Sequence, residues 1–174
     1  GQRAGLEGGV GVQAVDLVAH RQTAQREVGQ VLEPQAIPEP VARARLAADQ
    51  AVLEYVVGPE SLIVFVVTSR GMAVKSSPLR ESGLVARIEL LRDLIRRPGD
   101  DRWQKPAMRL SAELIDPVER AGWLDGVHHL YIVPHGALTY VPFALLPRHA
   151  TGRGDLLVDR YTVAYLPAAA ALLR

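Results

Sequence analysis

The spacing of apolar residues changes character several times along the chain, and each change predicts a different element. AVLEYVV from Ala51 and LIVFVVT from Leu62 are two runs rich in β-branched and aromatic residues, separated by Gly58-Pro59-Glu60-Ser61. That arrangement predicts a β-hairpin. A second turn at Ser69-Arg70-Gly71 leads into Met72 to Lys75, so a three-stranded antiparallel meander is expected. The second run is apolar at consecutive positions and has no face to give to water, which predicts a central strand covered on both sides.

From Leu84 the period becomes helical. Leu84, Ile88, Leu91 and Ile95 recur on one face with Arg87, Arg92, Arg96 and Arg97 around them, and Pro98-Gly99 ends the run. After a polar loop from Gly99 to Lys105, Met108, Leu114, Ile115 and Val118 predict a second helix, with Pro117 expected to kink it or close its last turn. Leu130 to Val133 then reads as a short buried strand, entered through Gly126 and left through Pro134-His135-Gly136. Buried strands followed by sharp turns are typical of α/β sheets. A last strand is expected at Tyr161 to Leu166, after the turn residues Gly152, Gly154 and Asp155. No repeat in the roughly 20–50-residue range is visible, so the pattern does not encode a solenoid.

The start of the chain has no such periodicity. Gly5, Gly8, Gly9 and Gly11 cluster there, and Pro34, Pro38 and Pro40 remove backbone donors and bias their neighbours to extended forms. Residues 1–40 are therefore expected to be a linker or poorly packed lead-in, with a short helix around Val12 to Val28. Residues 41–174 are expected to form one packed α/β unit. A length of 174 residues agrees with this, since single domains usually hold roughly 100–200 residues.

Composition narrows the function. A formal charge of +1 with no block of like charges gives no focused field for a phosphate backbone, so nucleic acid is not an expected partner. There is no Cys, which excludes a disulfide framework, a thiolate zinc site and a thiol nucleophile from this sequence. A reduced, cytoplasmic setting is expected. The longest strongly apolar run, Leu62 to Val67, is far shorter than the ~20 residues of a membrane helix, and the Gly-rich start lacks the pattern of a signal peptide. No membrane partner is expected. Basic residues are nearly all Arg, with Lys75 and Lys105 the exceptions, and Ala, Gly and Pro are plentiful, which reads as a GC-rich bacterial genome. Position 1 is Gly, and Ala168 to Arg174 reads as a helix start that breaks off, so both ends are expected to be cut.

Candidate chemistry is sparse. His135 follows a buried strand, where α/β folds place ligands, but a His in a Pro-His-Gly turn more often caps that turn, and no nucleophile is identifiable beside it. His128 and His129 are expected as strand neighbours on opposite faces, which prevents both from reaching one metal, and no metal site is expected. None of the six Ser residues sits in a GxSxG elbow, and no Walker-type loop exists. The early glycines lack the strand that a dinucleotide fingerprint requires. Arg87, Arg92, Arg96 and Arg97 could form an anion patch, although charge on a helix face is ordinarily a solvated face. No cofactor is expected.

Four stretches together resemble the CHAT domain, the caspase-like module often found after tetratricopeptide repeats in bacterial proteins. They are RARLAADQAVLEYVVGPESLIVFVVTSRGM, LSAELIDPVERAGWLDG, HLYIVPHGALTYVPFALLP and LLVDRYTVAYLP. The third is the most specific, with Pro134, Gly136, Leu138, Pro142 and Phe143 matching the family's strand, Pro-x-Gly, Leu and Pro-Phe pattern. Pro167-Ala168 departs from the usual Pro-Ser. The resemblance runs from about Val41 to the end and implies the N-terminal part of a caspase-like α/β domain: the meander, two helices and further sheet strands.

In active members the resemblance implies a His-Cys dyad that cleaves peptide bonds, carried by later segments of the family chain. No residue of that dyad carries over to this sequence, and His135 is not its equivalent. What it implies here is a truncated fragment, non-catalytic by itself, of a regulated cysteine peptidase. The alternative is a protein–protein interaction or scaffold module. The implied partners are a protein or peptide and upstream tetratricopeptide repeats of the parent. Self-association through sheet surfaces left bare is expected as well. Pro134, His135, Gly136, Pro142 and Phe143 are the candidate loop bordering the parent's site, with positioning rather than bond-making roles.

Overall fold

The computed structural model describes residues 45–148 and 155–173, all within the compact unit Glu33–Arg174. The lead-in, its expected helix, the glycine cluster and the turn residues Gly152 and Gly154 lie outside the described residues.

The meander forms as expected. Strands β1 (Gln50–Val57), β2 (Ser61–Thr68) and β3 (Gly71–Pro78) pair antiparallel in sequence. Next come α1 (Glu81–Ile95), α2 (Gln104–Leu114) and the single turn α3 (Asp116–Glu119). Strand β4 (His129–Val133), the short α4 (Leu157–Arg160) and β5 (Thr162–Tyr165) complete the chain. β4 pairs parallel to β1 and β5 parallel to β4, giving a mixed five-stranded sheet of order β3-β2-β1-β4-β5.

The expected second helix is split. Ile115 ends α2, and Pro117 occupies the first turn of α3, where its missing N–H has no intrahelical acceptor to lose. Proline acts here as the start of a new turn instead of a kink in an old one.

Strand β2 is interior and buried from Leu62 to Thr68, as a run without alternation requires, but the middle strand is β1. One side of the sheet holds the main core. Ala51, Leu53, Tyr55 and Val57 of β1 lie with Leu62, Val64 and Val66 of β2 and Leu130 and Ile132 of β4. Leu84, Ile88 and Leu91 of α1 and Leu110 and Leu114 of α2 cover them. On the other side a smaller cluster joins Leu46, Val52, Val67 and Val133 with Met72, Tyr131 and Leu166.

The two edges differ. β3 carries Lys75 and ends in Pro78, two devices that discourage a further strand. β5 offers only Thr-Val-Ala-Tyr, and among the described residues no strand pairs with its outer side.

Candidate functional site

Three places merit a functional reading, beginning at the C-terminal ends of the parallel strands β1 and β4. Pro134 cannot donate to the ladder, so the chain leaves the sheet there, and Gly136 takes a left-handed φ of 56°, which a side chain would strain. Between them His135 is extended, and its Nδ1 accepts the Val57 N–H at 3.1 Å. The imidazole therefore ties the end of β4 to the end of β1. Acceptance at Nδ1 puts the hydrogen of the neutral ring on Nε2. Among the described residues no carboxylate and no hydroxyl bonds to this ring.

The loop that follows is fastened down. The Leu138 N–H donates to the His135 carbonyl at 3.1 Å, and the Tyr165 hydroxyl accepts the Phe143 N–H at 2.9 Å. Burial raises the Tyr165 pKa, while the bonds from the Phe143 and Ala144 amides oppose that shift. Phe143 is fully buried, its ring 5.4 Å from Tyr55 and edge-on to Tyr165 at 6.2 Å. Phe143 is thus a core residue shared by β1, the loop and β5. Pro134 and Pro142 are half-buried and Gly136 is exposed. None of these five residues lines either cavity described next.

The second place is a polar cluster. Glu119 at the end of α3 has a nearly buried side chain and accepts from Arg148 Nε and from the Tyr161 hydroxyl, both at 2.8 Å. The Arg148 guanidinium also lies over the Tyr161 ring, 5.7 Å from its centroid. Burial first, and the Glu119 carboxylate second, push the Tyr161 pKa well above its ordinary value. The hydrogen bond to Glu119 raises the pKa of Arg148 in turn. These three residues edge a cavity of about 230 Å³, which Asp125 and Arg160 also line. With the acid, the base and the phenol bonded to one another, the cluster is a clamp joining α3, the end of the loop and the start of β5.

The third place is an open groove of about 640 Å³ between α1 and α2. Leu90 and Leu94 of α1 and Pro106 and Met108 of α2 line it, with Arg87, Arg102, Lys105 and Arg109 at its rim. Arg87 pairs with Glu113. Arg102 pairs with Asp100 at 2.7 Å, and its side-chain and backbone hydrogen bonds hold the Asp100 carboxyl down at about 2. Lys105 and Arg109 form no ion pair among the described residues.

No group of three or more His, Asp or Glu side chains able to hold a metal occurs among the described residues. His129 opens β4, with Nε2 3.6 Å from Asp49 Oδ2. His128 precedes the strand instead of lying within it, because its N–H and that of His129 both go to the Asp49 carbonyl. No helix among the described residues is long and apolar enough to cross a membrane. The four helix arginines do not converge: Arg87 faces Glu113, Arg92 lies over the Tyr140 ring, and Arg96 and Arg97 are exposed.

The strand, the Pro-x-Gly turn and the Pro-Phe pair with its buried Phe143 now stand in one connected arrangement. Residues 104–174 match the family model of the CHAT domain. Three of the four resembling stretches, from Leu110, His129 and Leu156, fall inside the CHAT match, whereas the meander of β1 to β3 precedes it. The CHAT-matching segment supplies α2, α3, β4, the fastened loop and β5, and its β4 docks on β1 from outside the match. No curated protein matches the chain.

The clamp of Glu119, Arg148 and Tyr161 was not among the candidates drawn from the sequence. Arg148 and Tyr161 stand 29 and 42 positions from Glu119, and nothing in local spacing marks them as neighbours. The groove also escaped notice. Its one sequence signal is Leu90, an apolar residue off the stripe formed by Leu84, Ile88 and Leu91.

Proposed function

We propose that this chain is a fragment of a caspase-like CHAT module with a positioning role, non-catalytic by itself, that does not cleave peptide bonds. The observation that supports the reading best is the engagement of His135. Its Nδ1 is occupied by the Val57 N–H, and the sequence contains no Cys that its Nε2 could activate. A thiol nucleophile requires an imidazole within hydrogen-bond reach and a thiolate to attack, so the two halves of that chemistry are not assembled by these residues. The CHAT match supports a caspase-like context, and the resemblance implies a longer parent that brings its own His and Cys on later strands.

In that reading the loop from Pro134 to Pro147 is a rigid border. His135, Phe143 and Tyr165 fix it to the sheet ends, and rigid support is what a site built on neighbouring strands needs. The partner is a protein or peptide, and the setting is cytoplasmic. The alternative, an interaction module in which no longer form is hydrolytic, draws its support from the open groove between α1 and α2.

The deciding experiment is a peptide-cleavage assay of this chain beside a longer form that continues past Arg174. Cleavage by the longer form alone supports the peptidase-scaffold reading, and silence from both supports the interaction module. Cleavage by the 174-residue chain would overturn the proposal.

A further inference from the structure

We infer that the groove between α1 and α2 is a docking site for an acidic amphipathic helix of a partner protein. Two independent features point there. The first is apolar. Leu84, Ile88 and Leu91 spend the core-facing side of α1, yet Leu90 is half exposed at 50% and lies on the groove with Leu94 and Met108. A single exposed leucine carries no message, but one that continues into an apolar trough of about 640 Å³ does.

The second feature is charge. Lys105 and Arg109 stand one helical turn apart on α2 beside the trough, and neither has a carboxylate partner among the described residues. Asp101 is the one acid on the lining, against four basic residues. The other two bases, Arg87 and Arg102, are already paired with Glu113 and Asp100. Among the described residues, the charge on this lining without an ion-pair partner is thus positive and lies at Lys105 and Arg109, on a chain whose formal charge is only +1.

The shape decides between a small ligand and a peptide. Small-molecule pockets enclose roughly 70–90% of their ligand, whereas this trough leaves Leu90 half in water and runs between two helices. A helix laid in such a trough places apolar anchors at i, i+4 and i+7 and carries its acidic residues on the flank facing Lys105 and Arg109. Opposite charge then sets orientation and speeds encounter, while the leucine contacts hold the complex. The inference does not depend on which reading of hydrolytic function holds, since binding and cleavage are measured separately.

The test uses the full chain and a labelled synthetic helical peptide with leucines at i, i+4 and i+7 and glutamates flanking them. Its twin carries lysines in place of the glutamates. Fluorescence anisotropy should show the glutamate peptide binding and the lysine peptide binding at least about tenfold more weakly, with affinity falling as salt rises. The double substitution Lys105→Glu with Arg109→Glu should weaken the glutamate peptide by about tenfold or more and improve the lysine peptide. Leu90→Asp should weaken both. All three side chains are exposed, so a thermal melt close to that of the parent chain confirms folding in each variant. Equal affinity for the two peptides, no binding of the glutamate peptide, or a Kd unmoved by the charge reversal would overturn the inference.

Discussion

Tyr55 is enclosed on all sides, and its hydroxyl donates to the Leu114 carbonyl at 2.9 Å, joining β1 to the last turn of α2. Tyr55→Phe keeps the ring and removes that bond, which should cost about 1 kcal/mol in denaturant titration. Burial raises the pKa of Tyr55, and burial with the Glu119 carboxylate raises that of Tyr161. Both phenols hold their protons more tightly folded than unfolded. Their stabilisation is complete below about pH 10, the ordinary tyrosine value, and is lost as pH rises through the higher folded values. The denaturation midpoint should therefore fall above about pH 10, and Tyr161→Phe should make that fall shallower. His135→Ala should destabilise by about 1 kcal/mol and speed amide exchange at Val57, whose N–H loses its acceptor. Unchanged exchange there would remove the structural role assigned to this histidine.

At the level of elements, the most polar joint is the clamp that binds α3 to the loop end and to the start of β5. Arg148→Met removes a charged donor from a carboxylate whose side chain is only 3% exposed. Stripping a partner from a buried ion pair costs about 3–5 kcal/mol, and the bond from Tyr161 together with the partial exposure of Arg148 should keep the loss near about 2–3 kcal/mol. Phe143→Ala empties a site shared by β1, the loop and β5, for which about 3–5 kcal/mol is expected. Calorimetric melts of the two variants check both figures. The elements themselves were largely legible. β2 is apolar without alternation and is buried without alternation. The α1 stripe was plain as well, whereas the place where α2 gives way to α3 was readable only as a disturbance near Pro117.

For the whole molecule, the two sheet edges offer a second chain different surfaces. Lys75 and Pro78 blunt the β3 edge, while β5 is short and uncharged with no strand on its outer side among the described residues. Self-association through β5 is the expected outcome, seen as a concentration-dependent shift in sizing with light scattering. Ala164→Lys, on that strand, should move the chain toward monomer. A sharp monomer peak at every concentration from the parent chain would count against the edge as a contact.

The sequence alone determined the five strand segments and α1, because periodicity of burial is written residue by residue and hydrophobic partition acts on each locally. It also showed that these 174 residues include no thiol, since the Cys count needs no coordinates. Only tertiary structure decided that β4 lies parallel to β1, that His135 serves Val57, and that Glu119 meets Arg148 and Tyr161. Those contacts join residues far apart along the chain, and their energies depend on desolvation and angle once the sheet has closed, quantities that no local pattern encodes.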